Sequence, residues 1–140
     1  MPVYFIYFLF LLNLTLMSGN NPLILIIEDN PSVIRLLEFK LAKENFRFEH
    51  RDNGPDGIEA VKKLRPDLVV LDVMLPGFDG FEVLRQIRQD AQIRETRVMM
   101  LTSKNMEDDL ERVFSMGAME FMSKPFKLGE FMIRLKRILN

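Results

Sequence analysis

Three unbroken apolar runs constrain this chain more than any other feature: Leu23–Ile27 (LILII), Leu68–Leu71 (LVVL) and Val98–Leu101 (VMML). Each is short for a helix and shows none of the polar alternation of a strand with one wet face. Each therefore reads as a strand buried on both sides, as in a parallel sheet. Such a sheet needs cover on both faces, and the segments between the runs supply it. Asn30-Pro31 predicts a helix start, with Asn as N-cap and Pro in the first turn, running to about Asn45. Val33, Ile34, Leu37 and Leu41 are its inward positions. Phe46–Arg51 is a short second strand. Asn53-Gly54-Pro55 reads as a turn before a helix over Asp56–Leu64, with Ile58 and Val61 inward and Pro66 as its breaker. A loop at Leu75–Gly80 leads to a third helix over Phe81–Asp90. A fourth helix, Glu107–Met116, is stopped by Gly117. Ala118–Met122 is a fifth strand, and Lys127–Leu139 an amphipathic closing helix. Five strands alternating with five helices predict an open α/β sheet with helices on both faces.

Composition narrows the chemistry. The 140 residues are enough for one domain with a sizeable core. The absence of cysteine excludes disulfides, thiolate metal sites and cysteine nucleophiles, and fits a reducing cytoplasm. A net charge of -1 provides no electrostatic basis for nucleic acid or an acidic membrane as main partner.

That charge is unevenly placed, for Met1–Ile27 contains no Lys, Arg, Asp or Glu. Val3–Met17 (VYFIYFLFLLNLTLM) is almost wholly apolar, yet shorter than the ~20 residues a spanning helix needs. It also lacks the basic flank of a secretory signal. Residues 1–17 are set apart as a hydrophobic extension and residues 23–140 as the domain. The extension has three readings: a weak membrane anchor, an extra element packed on the domain, or a mis-assigned start with the native one at Met17. The last is the simplest.

In open α/β sheets, ligands sit beyond the carboxyl ends of the strands. Glu28 and Asp29 follow the first strand, and Asp72 follows the third. Thr102, Ser103 and Lys104 follow the fourth, while Ser123, Lys124 and Pro125 follow the fifth strand. Singly, each is ordinary cap or turn chemistry. Together they place three carboxylates, a hydroxyl and an ammonium on one rim. Crowded carboxylates repel unless a cation neutralises them. An all-oxygen donor set favours a hard cation, Mg²⁺ before any transition metal. With an ammonium alongside, the rim becomes a clamp for a phosphoryl group and a carboxylate its acceptor.

Four blocks give this pattern a family likeness. IIED at Ile26–Asp29, LDVMLPGFDG at Leu71–Gly80, LTS at Leu101–Ser103 and SKPF at Ser123–Phe126 resemble, in order and spacing, those of CheY-like response regulator receiver domains. The resemblance covers about Leu23–Asn140. It implies a flavodoxin-like doubly wound parallel sheet of order 2-1-3-4-5 and a phosphoacceptor switch of two-component signalling. By that resemblance Asp72 is the phosphoacceptor. Mg²⁺ is held by Glu28, Asp29, Asp72 and the Met74 carbonyl, with Glu28 where the family often has Asp. Lys124, Thr102 and Ser103 bind phosphoryl oxygens. Thr102 and Phe121 form the switch, and Lys124–Pro125 is a cis peptide. The implied donor is a histidine kinase or histidine phosphotransfer protein. The implied output is a protein partner on the fourth helix, fifth strand and fifth helix, with no direct nucleic-acid contact and membrane contact only through residues 1–17. Met74 and Lys104 stand where the family tunes hydrolysis. Neither offers a carboxylate or amide to orient water, so slow loss of phosphate is expected.

Three rivals remain. A magnesium-dependent phosphohydrolase with an Asp nucleophile would resemble Asp-x-Asp at the first strand, whereas Asp72 follows the third and Met74 replaces the second Asp. The others are a protein-binding module that works without phosphorylation and a receiver fragment of a longer regulator.

Overall fold

Burial on both sides is what the computed structural model of the chain shows over the residues it describes, 2–9, 21–102 and 107–140. The strands β1 (Leu23–Ile27), β2 (Arg47–Arg51), β3 (Leu68–Asp72), β4 (Val98–Thr102) and β5 (Glu120–Ser123) form one parallel sheet in the order β2-β1-β3-β4-β5. Successive side chains point to opposite faces, so the central strands feed two cores. Leu25, Ile27, Val69, Leu71 and Met100 pack with α2 (Gly54–Leu64), α3 (Gly80–Gln89) and Val113 of α4 (Glu107–Ser115). Ile24, Ile26, Val70, Met99, Leu101 and Met122 pack with α1 (Pro31–Lys43) and α5 (Leu128–Leu139). The methionines Met99, Met100 and Met122 are buried filling of these cores.

Element types agree with the sequence reading, and the differences lie at the ends. Helix α1 stops at Lys43 because Asn45 takes a left-handed φ of 65°. Gly54-Pro55 is the first turn of α2 rather than a preceding turn, since the Asn53 side chain caps the Asp56 amide. Helix α3 begins one residue early, at Gly80, capped by Asp79 on the Glu82 amide. Strands β3 and β4 run one residue further, to Asp72 and Thr102, and β5 begins only at Glu120. Gly117, at φ 86°, turns the chain out of α4. Arg88 of α3 donates to the carbonyls of Met116 and Gly117 there, and to those of Arg94 and Thr96. Residues 3–9 are also helical, one helical segment beyond the five expected.

Gly80 is where the fold meets the rim. Its amide donates to the Val73 carbonyl, and a Cβ there would lie 2.2 Å from the Asp72 carbonyl oxygen. Backbone cannot yield as a side-chain tip can. Gly80→Ala should therefore cost about 1–3 kcal/mol in urea unfolding. Gly129→Ala, which meets nothing within 4 Å on α5, should be neutral or stabilise by up to about 1 kcal/mol. Equal effects of the two would contradict the close approach at Gly80.

Candidate functional site

The strand order reverses on either side of β1, which opens a crevice between the carboxyl ends of β1 and β3. Glu28 and Asp29 emerge on one side of it and Asp72 on the other. One carboxylate oxygen from each of the three lies within 4.8 Å of the others. Glu28 and Asp72 are buried, at 1% and 2% exposure, whereas Asp29 is exposed. Burial without charge compensation would be costly for both.

Compensation comes from β5. Pairing of β4 with β5 sets Thr102 beside Ser123, and the next amide, that of Lys124, donates to the Thr102 carbonyl. The Lys124–Pro125 peptide is cis. Lys124 Nζ lies 2.8 Å from Glu28 Oε2 and 3.3 Å from Asp72 Oδ2, bridging the two buried carboxylates. The other Glu28 oxygen accepts from the Asn30 amide at 3.1 Å, and Asp72 Oδ1 accepts from the Met74 amide at 3.1 Å. Burial raises the pKa of Glu28; the Lys124 hydrogen bond opposes this, and the nearby Asp72 charge adds to it.

The chemistry of the donor set fits a hard cation. Three carboxylates sharing one ammonium leave an excess of negative charge, and all the candidate ligand atoms are oxygen. The Met74 side chain is half exposed above the rim. Thr102 is fully buried at the end of β4. Phe121 is partly buried on β5, packed against the α2–α3 core, and its carbonyl accepts from Arg134. Ser103 and Lys104 lie outside the described residues. His50 sits exposed on β2 with Nδ1 3.3 Å from Glu38 Oε2, remote in role from the rim.

Two features were illegible in the sequence. One is the bridge from Lys124 to Glu28, made across 96 residues of chain. The other is a cleft of about 570 Å³ beside the rim, lined by Asp29, Met74, Pro76, Asp79 and Arg112 among others. Arg112 lies in it with its guanidinium 4.2 Å from the Phe81 ring centre. Its place on the fourth helix carries no motif that would announce it.

Known proteins are similar to this chain in sequence and in fold. The family described as response regulator receiver domain matches residues 24–136. The transcriptional regulatory protein ResD of Bacillus subtilis is 36% identical over 121 residues, which cover 86% of this chain and 49% of that protein. This chain spans about half the length of the curated relatives it matches. The BeF3-activated N-terminal receiver domain of Klebsiella pneumoniae RstA superposes with a TM-score of 0.77 at 30% identity, covering 84% of this chain and 98% of that one. The receiver domain of the Pseudomonas aeruginosa sensor histidine kinase PA1611 superposes equally well, with a TM-score of 0.77 at 28% identity, covering 85% and 98%. That structure has a magnesium ion coordinated in its active site cleft.

Removal of the bridging ammonium tests the electrostatics directly. Lys124→Met strands two buried carboxylates and should destabilise the metal-free fold by about 3 kcal/mol near neutral pH. The loss should depend on pH with a definite sign. Glu28, already raised above 4.5, would be raised further without Lys124. A carboxyl with a raised folded pKa stabilises the fold below its unfolded pKa and loses that contribution as pH climbs through the folded value. The deficit should be smallest below about pH 4.5 and widen toward neutrality, as read by urea unfolding at a series of pH values. A deficit that does not change with pH would count against the bridge.

Proposed function

This chain belongs to the response regulator receiver domain family of two-component signalling, and on that premise we propose that it takes a phosphoryl group onto Asp72 and thereby changes its fit to a protein partner. The domain proper is residues 23–140. The observation that carries the reading is the bridge of Lys124 to both Glu28 and Asp72 at the strand ends. It joins an acceptor carboxylate, an acidic cluster and a cation in one crevice.

The donor is a phosphohistidine on a histidine kinase or histidine phosphotransfer protein. An Asp72 oxygen forms the new bond to phosphorus, the phosphorus–nitrogen bond breaks, and the imidazole leaves. Such transfer depends mainly on positioning and charge stabilisation. Glu28, Asp29, Asp72 and the Met74 carbonyl are the residues that would hold Mg²⁺, which supplies charge neutralisation to the phosphoryl oxygens. Lys124 turns from the free Asp72 carboxylate to a phosphoryl oxygen, and Glu28 keeps its ammonium in reach. Thr102 donates its hydroxyl to another oxygen, with the Ser103 backbone close by.

The acyl phosphate brings roughly -1.5 to -2 charges to the rim. Thr102 moves toward it, and Phe121 rotates into the space released. The face of α4, β5 and α5 then changes shape, and that face is where the downstream protein binds. A second reading, in which this domain is one part of a longer regulator, is favoured by the greater length of the relatives.

Intact mass after incubation with acetyl phosphate and Mg²⁺ is the test. One phosphoryl group should be gained, and lost with EDTA or in Asp72→Ala. No gain, even from a phosphohistidine donor, would favour a module that binds partners without phosphorylation. Loss of the phosphoryl group should be slow, since the half-exposed Met74 offers no hydrogen bond to an attacking water. Met74→Asn should speed that loss by roughly tenfold by supplying one. An unchanged lifetime would remove Met74 from the account.

A further inference from the structure

The helical residues 3–9 have no counterpart in the two cores of the domain. All seven side chains, Val3, Tyr4, Phe5, Ile6, Tyr7, Phe8 and Leu9, are large and apolar, and each is 42–87% exposed. Successive residues of a helix step by ~100°, so seven of them go fully round its axis. This segment is therefore apolar on every side. The contrast with α1 and α5 is plain, since each of those buries one face and turns charges outward.

A helix apolar all round belongs in a protein interior or in lipid. The domain interior is already filled by its five helices, and neither core includes any of residues 3–9. A second copy or a groove on a partner would cover one side and leave the other wet. Lipid covers all sides. We propose that this segment inserts into one leaflet of a lipid bilayer and holds the receiver domain at the membrane surface.

Three further features fit that occupant. The stretch from Met1 to Ile27 carries no Lys, Arg, Asp or Glu, so no side chain in it resists transfer from water as a charge would. Tyr4 and Tyr7 lie about 60° apart around the helix, opposite Phe5 and Leu9. Phenol hydroxyls on one side and purely hydrocarbon side chains on the other suit the boundary between headgroups and acyl chains. The helical residues 3–9 reach only about 10 Å, far short of the ~30 Å hydrocarbon core. Among the described residues no helix is long and apolar enough to cross a membrane. A short helix of this kind suits attachment to one leaflet. Because no side chain of the segment is charged, binding should need no anionic lipid and should depend little on salt.

The chain offers its own probe. It has two tyrosines, Tyr4 and Tyr7, and no tryptophan, so its intrinsic emission above the phenylalanines reports this segment alone. The full chain should float with phosphatidylcholine vesicles at low and high salt alike. Its tyrosine emission should be quenched by bromine placed on the acyl chains and shielded from aqueous iodide. The exposed pair Phe5→Asp and Phe8→Asp should weaken vesicle binding by roughly tenfold or more. It should leave the unfolding midpoint of the domain and phosphorylation of Asp72 unchanged. Tyrosines equally open to iodide with and without vesicles would overturn the proposal. So would tyrosines shielded without lipid: in a monomer by sedimentation, the domain covers them, and in a dimer a second copy does. Phosphorylation is read separately, so failure at the membrane would leave the receiver reading standing.

Discussion

Everything in this structure depends on a parallel sheet whose central strands are buried on both faces. Such a strand has no wet side on which to carry polar groups, so β1, β3 and β4 are apolar until their last residues. The polar residues are pushed to the strand ends. Glu28 follows β1, Asp72 closes β3 and Thr102 closes β4, all three buried. The same alternation that divides Ile24 and Ile26 from Leu25 and Ile27 into separate cores holds these ends in register, pairing Ile27 with Leu71 and Asp72 with Leu101. A rigid sheet thus presents its few polar side chains as a fixed group.

That group is an electrostatic compromise. Two buried carboxylates at one rim are unfavourable, and Lys124 is the cation that makes them tolerable. Its reach to both depends on β5 pairing beside β4 and on the amide of Lys124 closing on the Thr102 carbonyl. Burial still prevails at Glu28, whose pKa stays raised despite the ammonium. A site in that state has an unmet appetite for positive charge, which suits metal binding, and an ammonium fixed at its mouth. On the proposed function, stability and chemistry draw on the same three residues.

The sequence was most legible where one physical cause acted alone. Apolar runs marked β1, β3 and β4, and Asn-Pro marked the start of α1. It was less legible where local causes competed. Gly54-Pro55 has the chemistry of a turn, yet the Asn53 cap draws both residues into α2. Asn45 continues the helical pattern, yet its left-handed backbone ends α1 before it. The run Val3–Met17 left open an anchor, an extra packed element or a mis-assigned start, because a uniformly apolar run has no period to separate helix from strand.

By itself the sequence determined the order of elements, the strands that had to be interior, and the chemical types available at the rim. Those follow from hydrophobic pattern and residue identity, which are local. It did not determine that Lys124 divides itself between Glu28 and Asp72, that Arg112 lies over Phe81 beside the rim, or that Arg88 ties α3 to the turn after α4. These contacts join residues far apart in the chain. Their distances are set by sheet register and helix packing, and no spacing along the sequence encodes a distance that only folding brings about.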